Sequence, residues 1–579
     1  MRNACLLATF LLSFCYAQDW QTPYERSAGT ESATYQEAIQ WYERLAADYE
    51  EISIQPYGRS DAGEPIHLVR ISKALRSGDE TTQRVSILIN NGIHPGEPCG
   101  IDACMMLARD LMQKPELSPL LDHVVIGIIP VYNIGGALNR SCCTRANQIG
   151  PLSQGFRGNA TNRDLNRDFM KMDAHNTRAF AEIFQDLLPE LFLDTHTTNG
   201  ADYQAPITYI ATLADKLEPS LATYLESAFL PALLSGMDKK KVLISPYVNK
   251  FDGPPEEGMA AFPDLPRYAS GYTALFQTLG FISEAHMLKT FEERVDATYA
   301  FILVMLEEAN RDHLALKQEV NKARTLAGNR TEQALNWALD TTRHDSVMFH
   351  GFRAEYRPGA VTGAPRLFYD QTKPFSEFIP YFPHYLPTTT LHVPKAYLIP
   401  QAWTQIIDRL QWSGVETQVL SKDTLLEVEV YVVEIDDPAK TPYEGHYYHQ
   451  TVSTHQEMQQ ILYRKGDVVV MTQQWRLPFI AHALEPEAVD SWFRWNFFDG
   501  IMMQKEYFSP YLFENLAAKI LEEDPELKKS FEAKKKEEPD FAQNSYAQLS
   551  YIYQHSPYYE KTHKRYPVGR WQGGKLPAN

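Results

Sequence analysis

Apolar and polar positions follow two periods in the first half of the chain. Between residues 35 and 310, short apolar runs of strand length alternate with amphipathic stretches of helical period. We predict strands at residues 84–90, 123–131, 191–194 and 280–283, and helices at residues 35–48, 99–112, 174–188 and 291–323. Strands that alternate with helices build a mostly parallel or mixed sheet with helices on both faces, and such sheets carry their sites beyond the carboxyl ends of the strands. The pattern therefore predicts an α/β fold for this half.

The pattern changes after about residue 330. Prolines and aromatic residues become denser, and the runs 426–433 and 467–471 alternate or cluster as β-strands do. Residues 511–538 form a charged stretch of helical character, and the tail beyond it is rich in tyrosine. We predict an α/β domain over residues 18–330, followed by a β-rich domain with a helical, aromatic tail over residues 331–579.

The N-terminus predicts the compartment. Arg2 precedes an apolar run at residues 4–14, which is too short to span about 30 Å of hydrocarbon, and residues 15–17 resemble a cleavage site. We predict a signal peptide over residues 1–17 and hence an exported protein, periplasmic or secreted. No later stretch of the sequence is apolar for long enough to predict a transmembrane segment.

Composition and charge narrow the function classes. The 579 residues are 44% apolar and 22% charged, which is ordinary for a globular protein and excludes a disordered chain. The net charge of −18 argues against nucleic acid or an anionic membrane as the main partner, because either would need a basic face. Four cysteines follow the predicted signal peptide, and an exported compartment permits either disulfides or buried thiols among them. They are Cys99, Cys104, Cys142 and Cys143.

The clearest candidate chemistry follows the first of the predicted strands. His94 and Glu97 lie three residues apart in a turn that contains glycine and proline, so both side chains can reach one point. A second pair with this spacing, His482 and Glu485, lies inside an apolar stretch of helical character. We interpret that second pair as structural, because the spacing alone carries no mechanism.

A catalytic zinc is bound by three protein ligands, usually His or carboxylate, and keeps an open position for water. His196 follows another predicted strand and supplies a third ligand beside His94 and Glu97. Glu284 ends a third strand, and we predict that it is the general base that takes the proton of the water and passes it to the leaving amine. The sequence thus predicts one Zn²⁺ per chain with a carboxylate base beside it.

Cationic residues in a separate loop predict a site for a substrate carboxylate. Asn166 and Arg167 lie in a loop before a predicted helix, and together they can hold a carboxylate through two hydrogen bonds. A second arginine would polarise the substrate carbonyl and stabilise the negative oxygen that develops there. The region upstream holds two candidates, Arg140 and Arg145.

Taken in order, these residues resemble the zinc carboxypeptidases of the carboxypeptidase A type, the M14 metallopeptidases, over roughly residues 35–310. The residues that carry the resemblance are His94, Glu97, Asn166, Arg167, His196 and Glu284. The resemblance implies an α/β/α sheet that binds one zinc through the two histidines and Glu97. It also implies that Glu284 acts as base and acid, while Asn166 and Arg167 hold the C-terminal carboxylate of a peptide.

Three further expectations rest on the resemblance alone. The family's Asn-Pro-Asp-Gly loop corresponds to Asn-Ile-Gly-Gly at residues 133–136, and the transition-state arginine downstream of it is expected at Arg145, with Arg140 second. The family's substrate-binding tyrosine is expected at Tyr268, with Tyr272 second. The β-rich half resembles the C-terminal extension of exported bacterial relatives.

We therefore predict an exported zinc metallocarboxypeptidase that hydrolyses the C-terminal peptide bond of peptides or proteins. A zinc-dependent amidase or deacylase, or a hydrolase of peptidoglycan stem peptides, is an alternative on the same site, because Arg167 can hold any substrate carboxylate. A binding protein without catalysis is a third interpretation. It agrees less well with the sequence, because it needs neither an open metal position nor a base such as Glu284.

Overall fold

The computed structural model describes residues 20–73, 83–198, 200–250 and 253–574. The predicted signal peptide at residues 1–17 lies outside these ranges. Within them, no helix has both the length and the apolar character needed to cross a membrane.

The first half is organised around one eight-stranded sheet. The strands of this half are β1 (Ile52–Arg59), β2 (Pro65–Ile71), β3 (Val85–Asn90), β4 (Val124–Ile129), β5 (Leu191–Thr198), β6 (Ile207–Ala211), β7 (Ile244–Pro246), β8 (Met259–Ala260) and β9 (Leu279–His286). The sheet has the order β1-β2-β4-β3-β5-β9-β6-β7. Its centre, β4-β3-β5-β9, is parallel, whereas β1, β2 and β6 join antiparallel neighbours. Every residue of β5 is buried, which shows that both faces of the sheet centre are covered.

Ten helices accompany these strands in the described part of the first half. They are α1 (Pro23–Arg26), α2 (Tyr35–Asp48), α3 (Cys99–Gln113), α4 (Ile134–Leu138), α5 (His175–Leu187), α6 (Pro219–Tyr224), α7 (Leu230–Lys239), α8 (Ala269–Ala274), α9 (Phe291–Arg311) and α10 (His313–Ala327). Cys99 and Cys104 are buried free thiols of α3, and Cys142 is bonded to Cys143. The single helix predicted at residues 291–323 is wrong, because Asp312 leaves the helical conformation and its carboxylate accepts a hydrogen bond from the Tyr224 hydroxyl (2.8 Å).

The second half is rich in β-structure. Its strands are β10 (Glu332–Leu339), β11 (Asp345–Pro358), β12 (Pro365–Phe382), β13 (Tyr385–His392), β14 (Ala396–Ile399), β15 (Gln418–Val419), β16 (Thr424–Pro438), β17 (His449–Tyr463), β18 (Val468–Met471) and β19 (Gly569–Trp571). Its helices are α11 (Thr404–Trp412), α12 (Leu477–Leu484), α13 (Pro510–Glu523), α14 (Pro525–Glu537), α15 (Pro539–Gln543) and α16 (Ser545–Gln554). Six of the strands form a sheet of order β15-β18-β14-β19-β16-β17. The predicted α/β class with a β-rich second half and a helical tail is confirmed.

The two halves are joined by more than the chain. Strand β8 of the first half pairs in parallel with β12 of the second, where Met259 lies opposite Tyr381. The ring of Phe276, after α8, stacks on Phe479 of α12 at 5.3 Å. The predicted boundary at residue 330 falls between α10 and β10, and it stays a prediction.

Candidate active site

The three predicted metal ligands meet at the carboxyl edge of the central sheet. The turn after β3 carries His94 and Glu97, and the neighbouring strand β5 carries His196. Nδ1 of His94 lies 3.3 Å from one carboxylate oxygen of Glu97, and Nδ1 of His196 lies 3.2 Å from the other. The candidate ligand atoms all lie within 4.8 Å of one another. One ion could therefore contact all three side chains.

Close packing of α3 against β5 sets this spacing. A Cβ atom on Gly100, in the first turn of α3, would overlap the side chains of Thr195 and Asn91, so this approach requires glycine. The backbone N–H of Thr197 donates to Glu97 at 2.8 Å, which ties the turn to the strand. The candidate metal ligands are therefore held by regular structure on both sides.

Two further carboxylates orient the histidine rings. Nε2 of His94 lies 3.0 Å from Asp164, and Nε2 of His196 lies 2.9 Å from Asp194. In both rings this leaves Nδ1 for the metal, and Nδ1 of His94 is buried with no hydrogen-bond partner among the described residues. Metal-bound histidines usually have such a carboxylate partner, and two histidines with a glutamate are a known zinc ligand set. The residues present fit a zinc ion.

The electrostatics of the cluster favour a cation. Burial opposes ionisation of Glu97, but Arg145 and His94 outweigh it and hold the pKa of Glu97 well below its usual range. Burial also opposes protonation of His196, but Asp194 and Glu97 outweigh it and raise the pKa of the imidazole well above its usual value. A site that attracts a proton so strongly also attracts a metal cation, which would displace that proton.

Glu284 lies beside the metal ligands, on the next strand of the sheet. In the pairing of β5 with β9, Glu284 is directly opposite His196. Burial raises the pKa of Glu284 to about 7, and the positive charge of His196 opposes this rise. A carboxylate with a raised pKa can accept a proton and return it near neutral pH. Its position and its pKa therefore suit a general base.

Asn166, Arg167 and Tyr268 line the same cavity as the metal ligands and Glu284. The cavity has a volume of about 170 Å³. The Arg167 guanidinium lies over the Tyr268 ring, 4.6 Å from its centre. Tyr272 is fully buried in α8, where its ring contacts other aromatic rings, and it is not among the described residues that line the cavity. Of the two expected tyrosines, the structure brings Tyr268 to the site.

The structure places a different arginine from the expected ones on the cavity wall. Arg145 lies behind Glu97, where it donates to the carboxylate (2.7 Å) and to a backbone carbonyl (3.0 Å). Arg140 donates to the backbone carbonyls of the loops around it. Neither is among the described residues that line the cavity, whereas Arg157 is. Arg157 donates to Asp164 at 2.9 Å, and one of its terminal nitrogens lies 3.6 Å from Glu97.

The sequence offered only a weak signal for Arg157. It stands in the irregular segment between α4 and the turn that carries Asn166, where neither helical nor strand period fixes the direction of a side chain.

The second His-x-x-Glu pair is structural in character. The His482 ring stacks on Trp337 at 5.6 Å, burial lowers its pKa to about 3, and Glu485 accepts hydrogen bonds from two tyrosine hydroxyls.

Known proteins resemble this chain in sequence. Residues 38–205, which include the three candidate metal ligands, match the family described as zinc carboxypeptidase. Carboxypeptidase 2 of Trichophyton rubrum is 24% identical over 485 residues, which cover 80% of this chain and 84% of that protein. Carboxypeptidase 2 of Trichophyton equinum is 23% identical over 502 residues, which cover 83% and 87%. These relatives are fungal, whereas the resemblance had pointed to exported bacterial proteins.

Solved structures resemble about half of the chain. A metallo-carboxypeptidase from Burkholderia cenocepacia matches with a TM-score of 0.38 and 16% identity, over 48% of this chain and 70% of that one. A metallo-carboxypeptidase from Pseudomonas aeruginosa matches with a TM-score of 0.37 and 16% identity, over 49% of this chain and 70% of that one.

Proposed function

We propose that the chain is a member of the zinc carboxypeptidase family, whose model matches residues 38–205, and that it is an exported, zinc-dependent exopeptidase that hydrolyses the C-terminal peptide bond of peptides. One observation carries the proposal. A single cavity is lined by the three candidate ligands, by the carboxylate of Glu284 and by the pair Asn166 and Arg167. Those are the groups needed to hold a metal, move a proton and bind a substrate carboxylate.

His94, Glu97 and His196 would hold the zinc, with Asp164 and Asp194 fixing the two rings. A zinc ion bound there polarises the scissile carbonyl and lowers the pKa of the attacking water. The fixed rings reduce the freedom that the ligands lose when the metal binds.

Glu284 moves the proton. Its ionised carboxylate takes a proton from the attacking water as the oxygen forms its bond to the carbonyl carbon. The carboxylic acid then gives that proton to the nitrogen of the leaving amino acid as the C–N bond breaks. One residue thus serves as base and then as acid, and the carboxylate is restored.

Two arginines bind the substrate at different points. Arg157 lies next to Glu97 and donates to the carbonyl oxygen, which becomes negative during attack. Arg167 and Asn166 bind the C-terminal carboxylate through charge-assisted hydrogen bonds. A free C-terminus is therefore part of the recognised substrate.

The remaining walls favour an apolar C-terminal residue. Ile210 and Ile282 pair across β6 and β9 and line the cavity together with Phe262. Among the described lining residues, only Glu97 and Glu284 are acidic, and both are assigned to the chemistry. No carboxylate of the described lining residues is left to pair with a lysine or arginine side chain of a substrate, so aliphatic and aromatic C-terminal residues suit the site best.

We propose the same organisation along the chain that the sequence predicts. Residues 1–17 are a signal peptide, residues 18–330 the catalytic domain, and residues 331–579 a β-rich domain with a helical tail. N-terminal sequencing of the exported protein tests the first of these, because it should begin at Gln18.

Replacing Glu284 with glutamine tests the mechanism. Glutamine keeps the size of the side chain but cannot accept the proton, so we expect kcat to fall by about 100- to 10,000-fold, while the protein still binds one zinc per chain. Glu292→Gln, at an exposed position in the first turn of α9, is the matched control. Wild-type turnover in Glu284→Gln would contradict the proposal.

A further inference from the structure

Asn166 and Arg167 line one end of the cavity, which we call the carboxylate end. A turn from the second half of the chain reaches this end. Residues 439–448, which we call the hairpin tip, connect β16 to β17. The Tyr443 hydroxyl accepts a hydrogen bond from Nε of Arg167 (3.1 Å), and Glu444 accepts one from the backbone N–H of Asp164 (2.8 Å). Both bonds fall on the short turn that carries Asn166 and Arg167. The hairpin tip thus contacts Arg167 and the backbone of the turn that carries it.

The hairpin tip has a defined conformation. Tyr443 and His446 exchange backbone hydrogen bonds of 2.8 and 3.0 Å. The two residues between them, Glu444 and Gly445, both have positive φ values, +50° and +85°, which is the pattern of a type I′ turn. Nε2 of His446 lies 2.6 Å from Asp173, at the end of the same loop of the first half. Tyr443 therefore lies at one end of a tight turn, and both end residues of this turn form hydrogen bonds with the first half of the chain.

Aromatic packing holds the Tyr443 ring from the other side. The ring stacks on Trp495, which is fully buried, with 5.9 Å between centres and 17° between planes. The guanidinium of Arg267, the residue before Tyr268, lies over the Trp495 ring and forms a 2.8 Å ion pair with Asp490. The Tyr443 hydroxyl is therefore fixed relative to the second half of the chain.

These contacts determine how Arg167 presents its donors. Nε of Arg167 donates a hydrogen bond to the Tyr443 hydroxyl, and Nη1 donates one to the backbone carbonyl of Asn166 (2.7 Å). The guanidinium group lies over the Tyr268 ring. Within the described residues Nη2 has no hydrogen-bond partner, so it remains for a ligand. Asp164 lies 3.8 Å from Nη1 and competes for the guanidinium. Without the Tyr443 hydroxyl, Arg167 would be free to turn toward Asp164.

We propose that Tyr443 is a positioning residue for the substrate carboxylate, so that the second half of the chain completes the carboxylate end of the active site. The proposal rests on the proposed carboxypeptidase function. Tyr443 acts through Arg167, which it holds in the orientation that binds a C-terminal carboxylate. A donor that is already oriented loses less freedom on binding, so the bond from Tyr443 strengthens substrate binding rather than the chemical step.

Tyr443→Phe tests this role, because it removes one hydroxyl and keeps the ring that stacks on Trp495. For a peptide with a free C-terminus we expect KM to rise about tenfold, the effect of one hydrogen bond to a charged group, with kcat within about twofold of wild type. Tyr447→Phe, half-exposed on the same hairpin tip, is the control and should leave both constants unchanged. An unchanged KM in Tyr443→Phe would overturn the proposal.

A double-mutant cycle with Arg167→Met separates positioning from a general effect on the fold. If Tyr443 acts through Arg167, then Tyr443→Phe should change KM by less than about twofold in the Arg167→Met background. A tenfold rise that persists there would overturn the proposal.

Equilibrium binding distinguishes a failure of this inference from a failure of the proposed function. The Kd of a peptide with a free C-terminus is measured on Glu284→Gln with and without Tyr443→Phe, and we expect the added change to weaken binding about tenfold. An unchanged Kd would overturn the positioning role whether or not the wild-type protein hydrolyses the peptide. A weakened Kd combined with a wild-type protein that does not hydrolyse it would contradict the proposed function alone.

Discussion

The cavity has a metal end, with the candidate metal ligands and Glu284, and a carboxylate end, with Asn166 and Arg167. The two ends are held by different kinds of structure. The metal ligands and Glu284 all come from the carboxyl edge of one sheet, on β3, β5 and β9 or the turns that follow them. Arg167 lies on an irregular loop, and its Nε is bonded to a tyrosine 276 residues further along the chain. In the proposed mechanism, regular structure therefore sets the geometry of the chemistry, whereas contacts between the two halves set the geometry of carboxylate recognition.

Loss of a metal ligand should produce the largest effect, and it tests whether the metal end acts as one unit. His196→Ala leaves two ligands, so we expect zinc to fall from one per chain to near zero after dialysis and hydrolysis to fall to background. His455→Ala, half-exposed on β17, is the control. Elemental analysis and turnover measure the two results. A full zinc content with retained activity in His196→Ala would mean that the metal lies elsewhere.

Replacing either of the two arginines near Glu97, Arg157 or Arg145, should give the next largest effects. The two replacements should affect different quantities. Arg157→Met removes a donor to the developing oxyanion, so we expect kcat to fall by about 100- to 1,000-fold. Arg145→Met removes a partner of the metal ligand Glu97, so we expect zinc affinity to fall by about 10- to 100-fold and kcat to recover at saturating zinc. Steady-state kinetics over a zinc titration separates the two. If instead Arg145→Met lowers kcat at saturating zinc and Arg157→Met lowers zinc affinity, Arg145 would be the transition-state arginine that the resemblance implies.

The smallest of the expected effects is the pH dependence of kcat/KM. It should depend on Glu284 at the metal end and not on Arg167 at the carboxylate end. Only the ionised Glu284 carboxylate accepts a proton, so kcat/KM should fall as the pH drops through its pKa. That pKa is about 7 without a metal ion, because burial raises it, and a bound cation lowers it. We expect the midpoint of the acidic limb at or below pH 7, and unchanged in Arg167→Met. An activity that rises from pH 7 to pH 5 would contradict Glu284 as the base.

The sequence was sufficient to predict the central sheet and to predict that the candidate metal ligands and Glu284 lie near one another. The apolar runs gave the four central strands to within a few residues, and His94, Glu97, His196 and Glu284 follow from the rule that parallel strands end at one edge. The single helix predicted at residues 291–323 was wrong because apolar period alone did not reveal that Asp312 takes part in a tertiary hydrogen bond.

The carboxylate end could be predicted only in part. Asn166 and Arg167 were visible as a polar pair in a loop, but the role of Tyr443 depends on a contact between distant parts of the chain. Arg157 was missed because its segment has no period and is held by tertiary contacts, among them a backbone hydrogen bond from Gly155 to Pro95 (3.2 Å). Such contacts leave no local pattern in the sequence.

The most direct test of the central claim compares one peptide with its own C-terminal amide. Both peptides, with leucine or phenylalanine at the C-terminus, are incubated with the zinc-loaded protein and the products are identified by mass spectrometry. We predict that the free peptide loses its C-terminal residue, that the amide is left intact, and that a metal chelator stops the reaction. Equal cleavage of both peptides, or cleavage inside the chain, would contradict a carboxypeptidase and favour an amidase or an endopeptidase on the same metal.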